Sequence, residues 1–426
     1  MRGYRVRWTE LALLIFGGVI VTGGFALLSL AQHRHVIQSD LRYPAMYVAS
    51  TIVLSLWMGK FATRADQLVF PIMALMAGIG ILVITRLDPA LGHRQLFWTV
   101  LGEVALGAVL IFPRRVSTLR LYKYSWAFLG LLLIVATIVA GTDVSGSGYK
   151  RWIGFHGVYL QPVELLKILM AIFFAAYLDE KRELLASARI QIGPIRIPPF
   201  QYLAPLVVMW GLSLLLLVKQ NDLGSALLFL GIFLAMIYIG TARAIYPISG
   251  LLMFVAGVFL AFHLFSHVRS RTELWLDPWS RASGTGYQVV QGLIALGVGG
   301  VGGQGLGQGH PNFVPVVTTD FILSALGEEL GLAGVACLLG LLIFLVFRGL
   351  SVAISAQDGF EKLLAAGLMA TLAIQTIVIV GGTTRLMPLT GVPLPFLSYG
   401  GSSVLANFTM MGLLLKISAG RTERAR

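Results

Sequence analysis

The sequence predicts an all-α polytopic membrane protein, and three observations support this fold class. The chain of 426 residues is 57% hydrophobic and only 12% charged, whereas about 25% of the residues of a soluble domain are charged. Several apolar runs reach about 18 residues, the length a helix needs to cross a bilayer. Positive charges are distributed unevenly between the loops, as the positive-inside rule describes. The net charge of +13 therefore indicates membrane topology and not nucleic-acid binding.

The apolar runs predict about twelve transmembrane helices. The first run follows Arg2, Arg5 and Arg7 as a signal peptide would, but it is too long for the apolar part of one and lacks a clear cleavage site. We interpret it as a retained span. The predicted spans are 10–31, 43–60, 67–86, 95–112, 124–141, 161–178, 200–218, 222–241, 245–265, 319–347, 362–382 and 396–416.

Loop charges predict that both termini are cytoplasmic. With this orientation most lysines and arginines face the cytoplasm, among them Arg114, Arg115 and Lys181 in the internal loops and Arg424 in the tail. The single cysteine, Cys337, excludes an internal disulfide and lies in an apolar run, as a buried small residue would.

Two predicted external segments are longer than turns, 142–160 and 266–317. The second has paired indoles, Trp275 and Trp279, which suit the headgroup region of a membrane. Its residues 286–297 alternate polar and apolar groups as an interfacial or re-entrant helix does. A glycine-rich turn, residues 299–309, follows and leads to Asp320. The pattern predicts a large loop that lies against the membrane and ends at a carboxylate.

Asp320 opens the tenth predicted span. At helical spacing Asp320, Ser324 and Glu328 lie on one face. A charge at membrane depth costs from about 2.5 kcal/mol upward, so it normally faces a cavity or a partner. Position alone allows a second interpretation, a helix N-terminus whose acid favours the helix dipole. The loop that precedes Asp320 favours a functional role.

Basic residues flank the outer ends of the predicted spans, where the positive-inside rule disfavours them. Two interpretations stay open: anchoring to anionic headgroups, or a pocket for a diphosphate, which guanidinium groups bind well. These residues are Arg151, Lys219, Arg269, Arg271, Arg281 and Arg385.

Three charged residues lie inside or at the edge of other spans. Glu164 and Lys167 are three residues apart and can form an ion pair on one helix face. Asp222 begins a span, where it can cap the helix. The pair His263 and His267 has a metal-binding spacing but no evident third ligand, so we predict no metal site there.

The motifs are similar to those of the FtsW/RodA/SpoVE (SEDS) family, the proteins of shape, elongation, division and sporulation. The similarity extends in order from about residue 67 to 416. The matching segments are Arg151-Trp152 with Gln161-Pro162-Val163-Glu164-Leu165-Leu166-Lys167, Gln220-Asn221-Asp222-Leu223-Gly224-Ser225, Gly284-Thr285-Gly286-Tyr287-Gln288, Gly303-Gln304-Gly305-Leu306-Gly307, Thr319-Asp320-Phe321-Ile322 with Gly327-Glu328-Glu329-Leu330-Gly331, and Leu394-Pro395-Phe396-Leu397-Ser398-Tyr399-Gly400-Gly401-Ser402-Ser403.

The resemblance implies a domain organisation. The family has a ten-span core, so residues 1–66 form a two-span N-terminal extension, 67–416 the core with the external loop 266–317, and 417–426 a cytoplasmic tail. The segment 380–391 is more similar to RodA-like proteins of the high-GC Gram-positive type than to enteric FtsW. The chain departs from common family residues at Asn221, Val317-Thr318, Arg281-Ala282, Ile379 and Arg385.

The resemblance also implies a peptidoglycan glycosyltransferase that polymerises lipid II into glycan strands at the outer face of the bacterial cytoplasmic membrane, for elongation or division. Such proteins work with a class B penicillin-binding protein, the transpeptidase. Asp320 matches the family's essential acid and becomes the expected catalytic base. A divalent cation, Mg²⁺ or Mn²⁺, can assist the reaction, although no ligand cluster in the sequence requires one.

The site predicted on this basis has three groups of residues. The catalytic residue is Asp320. The expected diphosphate ligands are Arg151, Lys219, Arg269, Arg271 and Arg385. The supporting polar residues are Glu164, Lys167, Asp222, Glu328 and Ser398.

Two other functions compete with the enzyme. In a lipid II flippase, Glu164, Lys167 and Asp222 would line a translocation path. The sequence shows no clear inverted pair of broken helices, which argues against a transporter. A scaffold that only recruits the transpeptidase would not need the carboxylate of Asp320.

Overall fold

The computed structural model describes residues 5–33, 35, 41–144, 146, 148–155, 158–186, 190–192, 195–197 and 200–420. Within these ranges the chain forms fourteen α-helices and two antiparallel hairpins of three-residue strands. The hairpins are the one departure from the predicted all-helical class. They pair β1 (Ile153–Phe155) with β2 (Val158–Leu160) and β3 (Ile190–Ile192) with β4 (Ile195–Ile197).

The helices follow the predicted apolar runs closely. They are α1 (Trp8–His33), α2 (Arg42–Phe61), α3 (Val69–Leu87), α4 (Pro89–Ile111), α5 (Lys123–Ala140), α6 (Pro162–Ala186), α7 (Phe200–Lys219), α8 (Leu223–Thr241), α9 (Ile245–Leu264), α10 (Ser266–Leu276), α11 (Tyr287–Gly299), α12 (Ile322–Ser355), α13 (Gly359–Thr383) and α14 (Gly401–Gly420).

Every predicted span overlaps one of these helices, but the last one was predicted to begin at 396, whereas α14 begins at Gly401 because residues 396–400 form a loop. Among the described residues, ten helices are long and apolar enough to cross a membrane: α1, α3, α4, α5, α7, α8, α9, α12, α13 and α14. The other two predicted spans are α2 and α6, which are also at least 20 residues long but more polar. The prediction of a helical multi-pass membrane protein is confirmed.

One compact unit comprises Met1–Ile111, Ser266–Arg348 and Gln375–Arg426. In this unit α1 packs against α2 and α3, α2 packs against α4, and α14 packs against α4. Small residues allow close contact: a Cβ at Gly24 of α1 would lie 2.5 Å from Leu82 Cδ2 of α3. The two N-terminal helices therefore pack directly on helices of the predicted core.

A buried ion pair ties the start of α1 to the loop after α2. Arg7 Nη2 lies 2.5 Å from Glu10 Oε2, and both side chains are almost completely buried. The Arg7 guanidinium also donates to the carbonyl oxygens of Ala62 and Asp66, and Ser55 Oγ donates to Glu10 Oε1 at 2.6 Å. The pair thus satisfies polar groups from three segments of the chain.

The other compact unit comprises Phe112–Phe265 and Gly349–Ile374. Here α6 is central, because it packs against α5, α7 and α8. Aromatic rings fill the space between these helices: Phe233 stacks on Trp210 at 4.9 Å between centroids and contacts Phe174 at 5.5 Å.

The structure corrects the predicted helix 319–347 at two points. Helix α12 begins at Ile322, so Asp320 lies in a turn before the helix and does not share a helix face with Ser324 and Glu328. The helix is also interrupted at Gly331, whose φ of 68° and ψ of −176° are not helical. At the other end of the chain α14 continues to Gly420, so the first residues of the predicted tail are helical, while 421–426 lie outside the described residues.

We predict that Arg7→Met lowers the stability of the detergent-solubilised protein. The variant leaves the Glu10 carboxylate buried without its cation, a change that typically costs about 3–5 kcal/mol. Thermal unfolding should show a clear drop in Tm relative to the wild type. The exposed Arg5→Met variant is the control, and the double variant Arg7→Met/Glu10→Met should be more stable than Arg7→Met. Equal melting of Arg7→Met and Arg5→Met would contradict the prediction.

Candidate active site

A tight turn presents Asp320 just before α12. The backbone N–H groups of Thr319 and Asp320 both donate to Val316 O at 3.2 Å, and Val316 has a positive φ of 55°. The next residue, Phe321, is completely buried in an apolar cluster that includes Val289. Asp320 itself is half-buried. The turn that carries the carboxylate is therefore closed by hydrogen bonds to Val316 O and anchored by the buried ring of Phe321, the next residue.

A second loop, residues 394–400, holds the backbone just before Asp320. Ser398 Oγ donates to Thr319 O at 2.6 Å and accepts the Leu394 N–H at 2.9 Å. Tyr399 N donates to Thr318 O at 2.8 Å. The structure thus brings the predicted residues Asp320 and Ser398 together, and Ser398 acts on the backbone that carries Asp320.

Gly391 lies beside the carboxylate. Its φ is +71°, a value that favours glycine, and a Cβ placed there would lie 3.4 Å from Asp320 Oδ2. The position is exposed. Sequence reasoning did not assign Gly391 to the site, because a glycine between turn residues is a common loop signal.

The glycine-rich turn binds the interrupted part of α12. Gln304 N and Gly305 N donate to the carbonyl oxygens of Glu328 and Glu329 at 2.9 and 3.0 Å, and Leu332 N donates to Gly300 O at 2.9 Å. These bonds replace the helical ones that are lost at the break. The contact is close: a Cβ at Gly331 would lie 2.3 Å from Gly303 N, so the position requires glycine.

Charged side chains also hold the glycine-rich turn. Glu328 Oε1 accepts the His310 N–H at 2.7 Å, so this predicted supporting residue stabilises the loop that contains His310. Arg86 Nη2, from the end of α3, donates to Gly309 O at 3.0 Å, and Arg86 Nε lies 3.3 Å from Glu329 Oε1. The sequence analysis did not assign Arg86 to the site. Its position at the end of an apolar run could have indicated a cation that binds a neighbouring loop.

Three of the predicted diphosphate ligands belong to the same compact unit as Asp320. The Arg385 guanidinium donates from Nε to Trp275 O at 3.0 Å and from Nη2 to Leu276 O at 2.6 Å, so it caps the end of α10. Arg269 is exposed and Arg271 half-buried on α10. Being two residues apart, they point to different sides of that helix.

The other two predicted ligands lie in the second compact unit. Arg151 donates from Nε to Gln220 O at 3.2 Å and from Nη2 to Asn221 O at 3.1 Å. Gln220 Nε2 in turn donates to Lys150 O at 3.1 Å. The exposed Lys219, the last residue of α7, makes no hydrogen bond or ion pair within the described part of the chain.

The remaining supporting residues of this unit adopt the structural arrangements that the sequence allowed. Lys167 Nζ lies 2.7 Å from Glu164 Oε2, and both side chains are buried. Asp222 is the N-cap of α8: its Oδ1 accepts the Ser225 N–H at 3.0 Å and its Oδ2 accepts the Ser225 hydroxyl at 2.8 Å. Arg151 and Asp222 therefore stabilise the same α7–α8 turn.

Across the described residues, no group of three or more His, Cys, Asp or Glu side chains is placed to hold a metal ion. Mg²⁺ commonly binds through substrate phosphates and only one or two protein carboxylates, so such a group is not required for an assisting cation. The divalent cation stays a prediction.

The chain corresponds to a known family. The model of the FtsW/RodA/SpoVE family, described as "Cell cycle protein", matches residues 66–423. The chain belongs to this family.

Individual relatives give the same assignment. The chain is 40% identical over 432 residues to the peptidoglycan glycosyltransferase RodA of Mycobacterium bovis, covering 99% of this chain and 92% of that protein. It is 36% identical over 329 residues to the probable peptidoglycan glycosyltransferase FtsW of Geobacter metallireducens, covering 76% and 84% of the two chains. A chain in a solved structure of a peptidoglycan synthase complex, described as coordinating polymerization and crosslinking, superposes with a TM-score of 0.71 at 26% identity and covers 84% of this chain and 98% of its own.

We predict that Arg86→Met loosens the glycine-rich turn. The variant removes the donor to Gly309 O and leaves the buried Glu329 carboxylate without its cation. Hydrogen exchange should become faster at the amides of residues 304–310. Arg348→Met, which removes an ion pair with Asp66 elsewhere in the same unit, is the control and should leave these amides unchanged. Unchanged exchange in Arg86→Met would show that the turn does not depend on the arginine.

Proposed function

We propose that Asp320 is the general base of a peptidoglycan glycosyltransferase that polymerises lipid II at the outer face of the bacterial cytoplasmic membrane. The names of the relatives support this enzyme class and favour it over a flippase. The observation that carries the residue assignment is the turn itself: Asp320 is half-buried, precedes the helix and has its backbone held from two sides.

In the proposed reaction the 4-hydroxyl oxygen of the acceptor sugar attacks the anomeric carbon of the donor. Asp320 takes the hydroxyl proton, a new glycosidic bond forms, and the bond from the anomeric carbon to undecaprenyl diphosphate breaks. A single displacement inverts the anomeric configuration. A base within hydrogen-bond reach of the hydroxyl contributes about 10²–10⁴-fold to the rate.

The geometry around Asp320 suits an acceptor sugar. Gly391 leaves space beside Oδ2, where a larger residue would crowd a bound hydroxyl. The fixed backbone keeps the carboxylate in one place, and fixed placement is what makes a reacting group effective.

The diphosphate that leaves carries negative charge, which cations must offset as it develops. The proposed cations are Arg151, Lys219, Arg269, Arg271 and Arg385. Arg151 and Arg385 already donate to backbone carbonyl groups, so Lys219 is a better candidate for this role than either of them. A divalent cation bound to the diphosphate would help to offset the same negative charge.

The proposed partner is a class B penicillin-binding protein, which would crosslink the strands that this enzyme makes. The support is the similarity to a chain of a peptidoglycan synthase complex that coordinates polymerization and crosslinking. Cytoplasmic placement of both termini belongs to the same proposal and follows from the loop charges.

We predict that Asp320→Asn abolishes lipid II polymerisation, because the amide cannot accept the hydroxyl proton. The assay uses purified full-length protein with lipid II, with and without a class B penicillin-binding protein, and detects glycan polymer. Asp277→Asn, which changes an exposed acid of the loop after α10, is the matched control and should stay active. Polymer from Asp320→Asn at the wild-type rate would exclude the general base. Transbilayer movement of labelled lipid II by the wild type, without polymer, would instead support the flippase.

We predict that Lys219→Gln lowers polymerisation about tenfold to a hundredfold, because one cation near the leaving group is lost. Raising the salt concentration should weaken the wild type more than the variant. Arg281→Gln is the control, since Arg281 is paired with Glu273 at 2.6 Å. A Lys219→Gln variant with wild-type rates and the wild-type salt response would remove Lys219 from the proposal.

A further inference from the structure

A buried glutamine on α4 binds the loop that supports Asp320. Gln95 Nε2 donates to Ser398 O at 3.2 Å, and Gln95 Oε1 accepts the Gly400 N–H at 3.3 Å. The residue is completely buried. Both ends of the side-chain amide are therefore used, one as a donor and one as an acceptor, on two residues of the same loop.

The opposite side of this loop holds the turn of Asp320. Ser398 Oγ binds Thr319 O, and Tyr399 N binds Thr318 O. Residues 398–400 are thus placed between Gln95 and the two peptide groups that precede Asp320. Two successive layers of hydrogen bonds lead from α4 to the turn that carries Asp320.

The loop cannot hold this shape through regular secondary structure. Phe396 has a positive φ of 65°, which is uncommon for a bulky residue and needs support from its surroundings. Gly80 of α3 lies directly against it, since a Cβ there would be 2.7 Å from Phe396 O, and Gln375 Nε2 donates to Pro393 O at 2.8 Å. These contacts hold residues 393–397, while Gln95 holds 398 and 400.

We propose that Gln95 is a positioning residue for Asp320: it fixes Ser398 and Gly400, the neighbours of Tyr399, and Ser398 and Tyr399 in turn fix the turn that carries the catalytic base. The proposal rests on the proposed role of Asp320. A side-chain amide suits this position because it can donate to the acceptor Ser398 O and accept from the donor Gly400 N–H at the same time. An aliphatic side chain would leave the buried Ser398 carbonyl and the half-buried Gly400 N–H without this partner, which costs free energy.

The first test compares Gln95→Met with Thr99→Val in lipid II polymerisation by the purified full-length protein. Thr99 is equally buried one turn further along α4, but its hydroxyl donates to Gln95 O within the same helix. We expect Gln95→Met to lower kcat about 10–100-fold with little change in KM, since displacement of a catalytic group by about 1 Å has an effect of this size. Thr99→Val should keep the wild-type kcat.

The second test uses Gln95→Glu, which distinguishes positioning from general packing. A protonated carboxyl can donate to Ser398 O and accept from Gly400 N, whereas an ionised one cannot donate. The activity of Gln95→Glu, taken relative to the wild type at each pH, should therefore rise as the pH falls. Gln95→Met should show no such rise. This variant also keeps the proposal testable if Gln95→Met does not fold.

Hydrogen exchange separates this proposal from that of the general base. Gln95→Met should speed exchange at the amides of residues 318–321 and 398–400, whatever the chemical role of Asp320. Faster exchange together with an active Asp320→Asn would refute the base but keep the structural link. Wild-type kcat and unchanged exchange in Gln95→Met, or a Gln95→Glu activity no higher than that of Gln95→Met at any pH, would overturn the positioning role.

Discussion

Backbone groups that are shielded from water and lie outside a regular helix must find partners inside the protein, and this constraint shapes the region around Asp320. The carbonyl groups of Thr318 and Thr319 precede α12 and have no helical donors. The loop 394–400 supplies them, through Ser398 and Tyr399. The break at Gly331 meets the same need through the glycine-rich turn. Two irregular segments at the start of α12 are thus stable because two other loops bind them.

The same constraint explains why several arginines bind backbone groups. Arg385 caps the end of α10, Arg151 holds the α7–α8 turn, and Arg86 holds the glycine-rich turn. Guanidinium groups suit this task because they offer several donors in a fixed plane. Charge alone therefore does not identify a diphosphate ligand. Cations whose donors are not already bound, such as Lys219, are better candidates than those that complete the fold.

The two N-terminal helices are joined to the rest of their compact unit by buried polar contacts as well as apolar packing. The Arg7–Glu10 pair reaches Ser55 on α2 and the carbonyl groups of Ala62 and Asp66. Asp66 also pairs with Arg348 of α12, and its N–H binds Ser418 of α14. A buried pair is weak evidence for stability but a good device for fixing one arrangement of helices. The extension thus shares polar contacts with helices far along the chain.

The sequence by itself determined the helical membrane class, the approximate positions of the twelve predicted helices, and the family with its candidate acid, because apolar length and ordered motifs are local signals. It also allowed the Glu164–Lys167 pair and the Asp222 cap, which depend on spacing within one segment. Only the tertiary structure placed Asp320 outside α12, interrupted that helix at Gly331, and revealed Arg86, Gln95 and Gly391. These features depend on hydrogen bonds and close contacts between residues that can be up to 305 positions apart, and no periodicity along the chain encodes which distant loop will supply a missing partner.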